Sequence, residues 1–142
     1  MHTIHTMKSM INQRIHIAPV GFEIDRIVLP AVEMKADLVY LVVHDNLSTD
    51  KAQKYHTEIQ KQLKKQKIKT ETVYANRFRL FDIIGVVKKL IQENRKDSFY
   101  VNVASGSKIH AIGCMMACMM FDDRDNIHPF YPQADKYPVY KN

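Results

Sequence analysis

The segment "NVASGSK", Asn102 to Lys108, brings together residue types that hold an anion. Gly106 has no Cβ, so a ligand can approach the backbone there. Ser105 and Ser107 bring hydroxyl donors, and Lys108 brings a mobile cation. Asn102 can fix the loop or meet a base or ribose edge. The apolar run "SFYV" precedes the segment and "IHAIGCMMACMMF" follows it, so the segment stands where a strand gives way to a helix. A helix N-terminus offers unpaired amides and the positive end of a dipole. Two readings stand on these residues: a phosphate cradle, or a glycine turn in which Ser107 caps the helix. The spacing is not the "GxxxxGK[ST]" of a P-loop. The first turn, "PVGFEID", lacks the "GxGxxG" of a dinucleotide fingerprint.

Other chemistry is weakly represented. The seven histidines show no metal-ligand spacing such as "HExxH". No "GxSxG" nucleophile elbow is present. No metal site and no cofactor are therefore expected. Cys114 and Cys118 lie four apart in an apolar helical run and read as buried thiols. His16 falls inside a strand and reads as a hydrogen-bonded core residue. His110, one turn past the loop, reads as a satisfied interfacial histidine, with the ligand or a dimer axis as the alternative. Arg77 and Arg79 can meet phosphate or bond acidic neighbours.

These residues need elements to position them. "RIHIAPV" (14–20), "DLVYLVV" (37–43), "IKTETVYA" (68–75), "SFYVNV" (98–103) and "NIHPFYP" (126–132) read as strands. The second is apolar almost throughout, which suggests burial on both faces. Between them lie four helical segments. Residues 21–36 carry an awkward Pro30, which kinks the helix or marks a second start. Residues 51–69 form a lysine-rich helix with Ala52, Tyr55, Ile59 and Leu63 inward and Ser48 or Thr49 as its cap. Residues 76–94 point Phe81, Ile84, Val87, Leu90 and Ile91 inward. Residues 107–123 are apolar on nearly every side, as expected of a helix buried all round, with one face on the sheet and another available to a partner subunit. The order βαβαβαβαβ is an α/β class, a Rossmann-like three-layer α/β/α fold with a mostly parallel sheet of about five strands. Ligands of such sheets bind beyond the carboxyl ends of the strands. That rule selects the loops at 20–23, 44–48, 76–79 and 103–108, and the chain from 132 onward. The domain spans 14–132, between an N-terminal extension (1–13) and an extended tail (133–142).

The strand ending in Asn102, the small-Ser-Gly-Ser-Lys loop and the small-residue-rich helix resemble the signature of CARF domains, the CRISPR-associated Rossmann-fold ligand sensors. "IHIAPVGFEIDRIVLPAVEMKADLVYLV" is similar to the opening of a mostly archaeal subgroup of transcription regulators in which a CARF-like domain precedes a winged helix. The resemblance covers roughly residues 14 to 132. It implies a homodimer that binds a cyclic oligoadenylate across its two-fold axis. It also implies a ligand loop of Asn102, Ser105, Gly106, Ser107 and Lys108, with Gly21, Phe22 and Glu23 lining the same pocket. Asn76, in the loop after the third strand, is a further ligand-binding candidate. Two features depart from the pattern. Phe22 and Glu23 stand where some ligand-cleaving relatives carry a hydroxyl residue, and a Glu23 carboxylate repels a polyphosphate ring unless paired, for which Arg26 is placed. The winged-helix module is missing, because the sequence stops at "YPVYKN". The chain is then either truncated or a stand-alone sensor, and specific DNA contact is expected only through the absent module.

The implied function is a dimeric sensor of a cyclic oligoadenylate or related anionic nucleotide. The first alternative is a metal-independent ring nuclease, in which a ribose 2′-OH attacks the adjacent phosphate while Lys108, Ser107 and the loop amides stabilise the developing charge. The second is a dimerisation scaffold with an empty pocket. Net charge narrows the partners. The chain carries +6, and residues 51–69 alone hold seven lysines and one glutamate. That helix reads as a solvated face, because it lacks arginines and interleaved aromatics. No apolar run approaches the ~20 residues of a membrane span, and the N-terminus lacks a signal-peptide core. A cytoplasmic protein with no membrane partner is expected.

Overall fold

The computed structural model describes residues 12–133, so the expected extension and tail lie almost wholly outside the described residues. Five strands form one sheet: β1 (Arg14–Pro19), β2 (Leu38–His44), β3 (Lys69–Ala75), β4 (Ser98–Asn102) and β5 (Ile127–Phe130). Their spatial order is β3-β2-β1-β4-β5 and every pairing is parallel. The helices are α1 (Asp25–Glu33), α2 (Gln53–Lys65), α3 (Leu80–Glu93) and α4 (Lys108–Met119). The expected Rossmann-like α/β fold is borne out.

Strand periodicity divides the core in two. Ile15, Ile17, Phe99 and Val101 face α3 and α4, where they meet Ile83, Val87, Ile91, Cys114 and Ala117. Ala18, Val39, Leu41 and Val43 face α1 and α2, where they meet Ile27, Ala31, Ile59 and Leu63. β2 feeds both layers, which is why its sequence is apolar almost throughout. Below the sheet, Asp97 Oδ1 accepts from the Gln13 amide and Asp37 Oδ2 from the Arg14 amide, each at 2.8 Å. These bonds align the N-terminal ends of β1, β2 and β4.

Several sequence expectations are corrected. α1 runs through Pro30 instead of restarting there. Phe81 is 78% exposed, while Ile83 takes an inward place. At 100° per residue, Phe81 sits about 120° from the centre of the stripe formed by residues 83, 84, 87, 90 and 91. Leu80 fills the first-turn position on that stripe and packs on the core. Neither Ser48 nor Thr49 caps α2. Asp50 Oδ1 accepts from the Ala52 amide at 3.0 Å, while Ser48 bonds Asn46. α4 is not buried all round: His110, Gly113, Cys114, Ala117 and Cys118 face inward, and Ile112, Met115, Met116, Met119 and Met120 face out. The close α3–α4 approach needs Gly113, where a Cβ would stand 2.8 Å from Ile83 Cγ2.

Candidate ligand-binding site

β1 and β4 are neighbours in the sheet, and the chain leaves them toward opposite faces. The switch point therefore falls between the loop after β1 and the loop after β4. Of the five loops selected by sequence, these two cross at their glycines, and the loop after β3 reaches the loop after β1 through Arg77. A Cβ on Gly21 would lie 3.0 Å from Gly106 Cα. Gly106 has φ +79, and a Cβ there would come within 2.7 Å of His110 Nδ1 and 2.8 Å of Pro19 Cβ. Only glycine fits this crossing without strain.

Asn102 holds the loop from beneath and is 1% exposed. Its Oδ1 accepts from the Ala104 and Ser105 amides at 3.0 Å each. Its Nδ2 donates to the Arg26 carbonyl at 2.9 Å. That carbonyl is the acceptor Pro30 would have used had it carried an N–H. The awkward proline and the loop asparagine are thus two halves of one arrangement, which ties α1 to the β4–α4 loop. Asn102 fixes the loop, and its amide is spent there.

Ser107 caps α4. Its Oγ accepts from the His110 amide at 3.3 Å, and its own amide donates to His110 Nδ1 at 3.0 Å, a reciprocal capping box. No described residue accepts from the Lys108 or Ile109 amide, and both point out of the first turn. A cleft of about 420 Å³ opens here, lined by Val103, Ala104, Gly106, Ser107, Lys108, Ala111, Ile112 and Tyr131. The structure shows Ser107 as the cap, and the same turn walls a cleft. Gly106, Ser107 and Lys108 line it, whereas Asn102 and Ser105 lie beneath. Ala111, Ile112 and Tyr131 went unnoticed by sequence. The first two lie one turn into α4, but nothing in the local sequence around Tyr131 marks it.

Gly21, Phe22, Glu23 and Asn76 do not line the cleft. Glu23 Oε2 lies 2.8 Å from Arg26 Nε, an ion pair off the line of a straight hydrogen bond. The expected partner is therefore present. The Arg26 guanidinium also stands 5.9 Å from the Tyr131 ring centre, so the pair borders the cleft. Asn76 Oδ1 accepts from the Phe78 amide and shapes its own turn. Arg79 pairs with Asp82 at 3.5 Å, and Arg77 lies over two phenyl rings.

His110 is buried, and its pKa is lowered to about 4, first by burial and then by the nearby Arg77 and His44 charges. It is therefore neutral near pH 7. Its Nδ1 accepts from the Ser107 amide, which places the proton on Nε2, and Nε2 has no partner. The Ser105 hydroxyl is likewise buried without a partner. His16 corrects an expectation: it is a core residue, but its Nε2 has no hydrogen bond, and its ring packs on Tyr100 and Phe130 at 5.4 Å. Burial pushes both Cys114 and Cys118 up to about 12, as suits inert thiols. Among the described residues no group of three or more His, Cys, Asp or Glu is placed to hold a metal. No described helix is long and apolar enough to cross a membrane.

The family described as "HFX_2341_N:-like, N-terminal" matches residues 14–137. The uncharacterized protein MJ1513 of Methanocaldococcus jannaschii is 33% identical over 131 residues. The match takes in 86% of this chain and 38% of that protein, so the chain spans well under half of its relative. Among solved structures, Can2 from Sulfobacillus thermosulfidooxidans in complex with cyclic tetra-adenylate superposes with a TM-score of 0.71 at 11% identity, over 86% of this chain and 32% of that one. Enterococcus italicus Csm6 bound to cyclic hexa-2′-fluoro-hexa-dAMP gives 0.67 at 11% identity, over 92% and 36%. A type III CRISPR defence DNA nuclease activated by cyclic oligoadenylate gives 0.69 at 14% identity, over 86% and 19%. At these identities the likeness is one of fold, and it bears out the CARF-like architecture read from "NVASGSK". The chain belongs to the HFX_2341_N:-like, N-terminal family, built on a CARF-like Rossmann fold.

Proposed function

We propose that this domain senses a cyclic oligoadenylate or a related anionic nucleotide, with a ligand phosphate against the Gly106–Lys108 turn of each of two subunits. The observation that carries the reading is the coincidence at one cleft of free first-turn amides, a glycine crossing and the exposed Lys108 cation, at the sheet's switch point. The ligands named for Can2 and Csm6 supply the chemical class. A second copy of the chain covers the outward face of α4 and closes the cleft, because Ile112 belongs to both. No observation favours cleavage. Ser107 Oγ is committed to the cap, and His110 has no third group to orient it as a base.

Isothermal titration of cyclic tetra- and hexaadenylate into wild type and Lys108→Ala tests this reading. Loss of one charge-assisted bond is worth roughly 1.5–3 kcal/mol, so affinity falls about ten- to a hundred-fold. The bound ligand is recovered intact by mass spectrometry. Equal binding by both proteins overturns the cradle, and a linear product overturns the sensor in favour of the nuclease.

A further inference from the structure

On the β2–β3 side of the Gly21–Gly106 crossing lies a second cluster, outside the cleft. Phe22 follows Gly21 directly and is 44% exposed; Phe78, in the loop after β3, is 70% exposed. The Arg77 guanidinium stands 5.9 Å from the Phe22 ring centre and 5.4 Å from that of Phe78. Neither ring hangs free. Phe22 packs at 5.6 Å and 75° on the buried Tyr55 of α2. Phe78 packs at 5.5 Å and 82° on the buried His44 at the end of β2. His44 is itself fixed, because its Nδ1 accepts from the Arg77 amide at 3.1 Å. The Phe78 amide is held by Asn76 Oδ1 at 3.0 Å. Two solvent-facing rings and a planar cation are thus held by buried rings and backbone bonds. A solvated surface has no need of such positioning, and exposed phenyl groups cost free energy in water. Stacking on a flat partner offsets that cost.

We propose that Phe22, Arg77 and Phe78 form a stacking platform for a nucleobase of the ligand whose phosphate meets the 102–108 loop. The assignment rests on the proposed function for the identity of that ligand. The chemistry is complementary: a base presents a π-face to phenyl and guanidinium planes, and the guanidinium adds attraction for the attached phosphate. The connection between subsites is structural, because Gly21 touches Gly106 and leads straight into Phe22. Nucleobases are therefore read by stacking, which tolerates base identity, and specificity for adenine must come from polar groups elsewhere.

The test uses three probes on the whole chain with ring-labelled phenylalanine: AMP, ribose 5-phosphate and cyclic tetraadenylate. AMP moves the ring-proton resonances of Phe22 and Phe78 upfield, and ribose 5-phosphate leaves them in place. Phe78→Ala weakens cyclic tetraadenylate about ten- to a hundred-fold, and Phe78→Trp restores it. Unmoved rings with AMP at saturation, or full affinity in a folded Phe78→Ala protein, overturn the platform even where cyclic tetraadenylate binds wild type well. Moved rings with AMP and no binding of the cyclic ligand uphold the platform and sink the sensor reading instead.

Discussion

Replacing Gly106 is harmful for two separable reasons. Its φ of +79 costs an L side chain roughly 1–2 kcal/mol, and its Cβ would collide with Pro19 and the His110 ring, at a typical overpacking cost of about 1–3 kcal/mol. Gly106→Ala therefore lowers stability by about 2–5 kcal/mol in urea denaturation, as well as weakening ligand binding. Gly85 is the control. It lies inside α3 with nothing within 4 Å of its ideal Cβ, so Gly85→Ala raises stability by about 0.5–1 kcal/mol. A neutral Gly106→Ala would show that the crossing is looser than described. Buried histidines contribute to the acid response, His16 and His110 most strongly, with His56 shifted in the same direction by burial. Burial holds His16 and His110 at about 4, below the ordinary 6.5. The unfolded chain therefore binds more protons than the folded chain between those values. Their contribution is complete above about pH 6.5 and is lost as the pH falls toward 4. The urea midpoint should drop across this window, and His16→Phe, which keeps a ring against Tyr100 and Phe130, should flatten the slope by up to one proton. An unchanged slope would show that His16 titrates normally.

At the scale of elements, α4 joins the cleft to an exposed apolar face. Its N-terminus walls the cleft, and its outward face carries Ile112, Met115, Met116, Met119 and Met120 in a continuous row. Polar residues at those positions would suit a solvated helix, so the row is the surface expected to pack on a second copy. A stable pair buries about 1,200–2,000 Å² in total. Light scattering should give a dimer at micromolar concentration, and Met116→Lys together with Met119→Lys should give a monomer with its far-ultraviolet dichroism intact. A wild-type monomer would remove the helix from any interface. α1 shows a different coupling. Pro30 leaves the Arg26 carbonyl free, and Asn102 reaches it from another strand. Local sequence marks Pro30 as a fault in a helix. The fault disappears once β4 is placed beside β1.

For the whole molecule, the +6 charge is concentrated on and around α2 at the β3 edge of the sheet. Duplex DNA should bind this chain weakly, without sequence preference, and lose most of its affinity between low and physiological salt through counterion release. Tight, sequence-selective binding at physiological salt would show that the lysine face reads DNA by itself. The sequence by itself determined the order of elements, the parallel sheet, the buried cysteines and the turn at Asn102–Lys108. Each of these follows from local periodicity, from residue polarity or from a special backbone position such as Gly106. Other features depend on neighbours distant in the chain. The phase that turns Phe81 outward was decided by how α3 lies on the sheet. The service of Asn102 to Arg26 was decided by the β1–β4 pairing, and the Tyr131 wall by the return of β5. The pairing of Phe22 with Phe78 across Arg77 was decided by the convergence of loops after β1 and β3. The physical reason is common to all four: a side chain's partner is set by strand order and helix tilt, and those are properties of the packed core, which no short window of sequence contains.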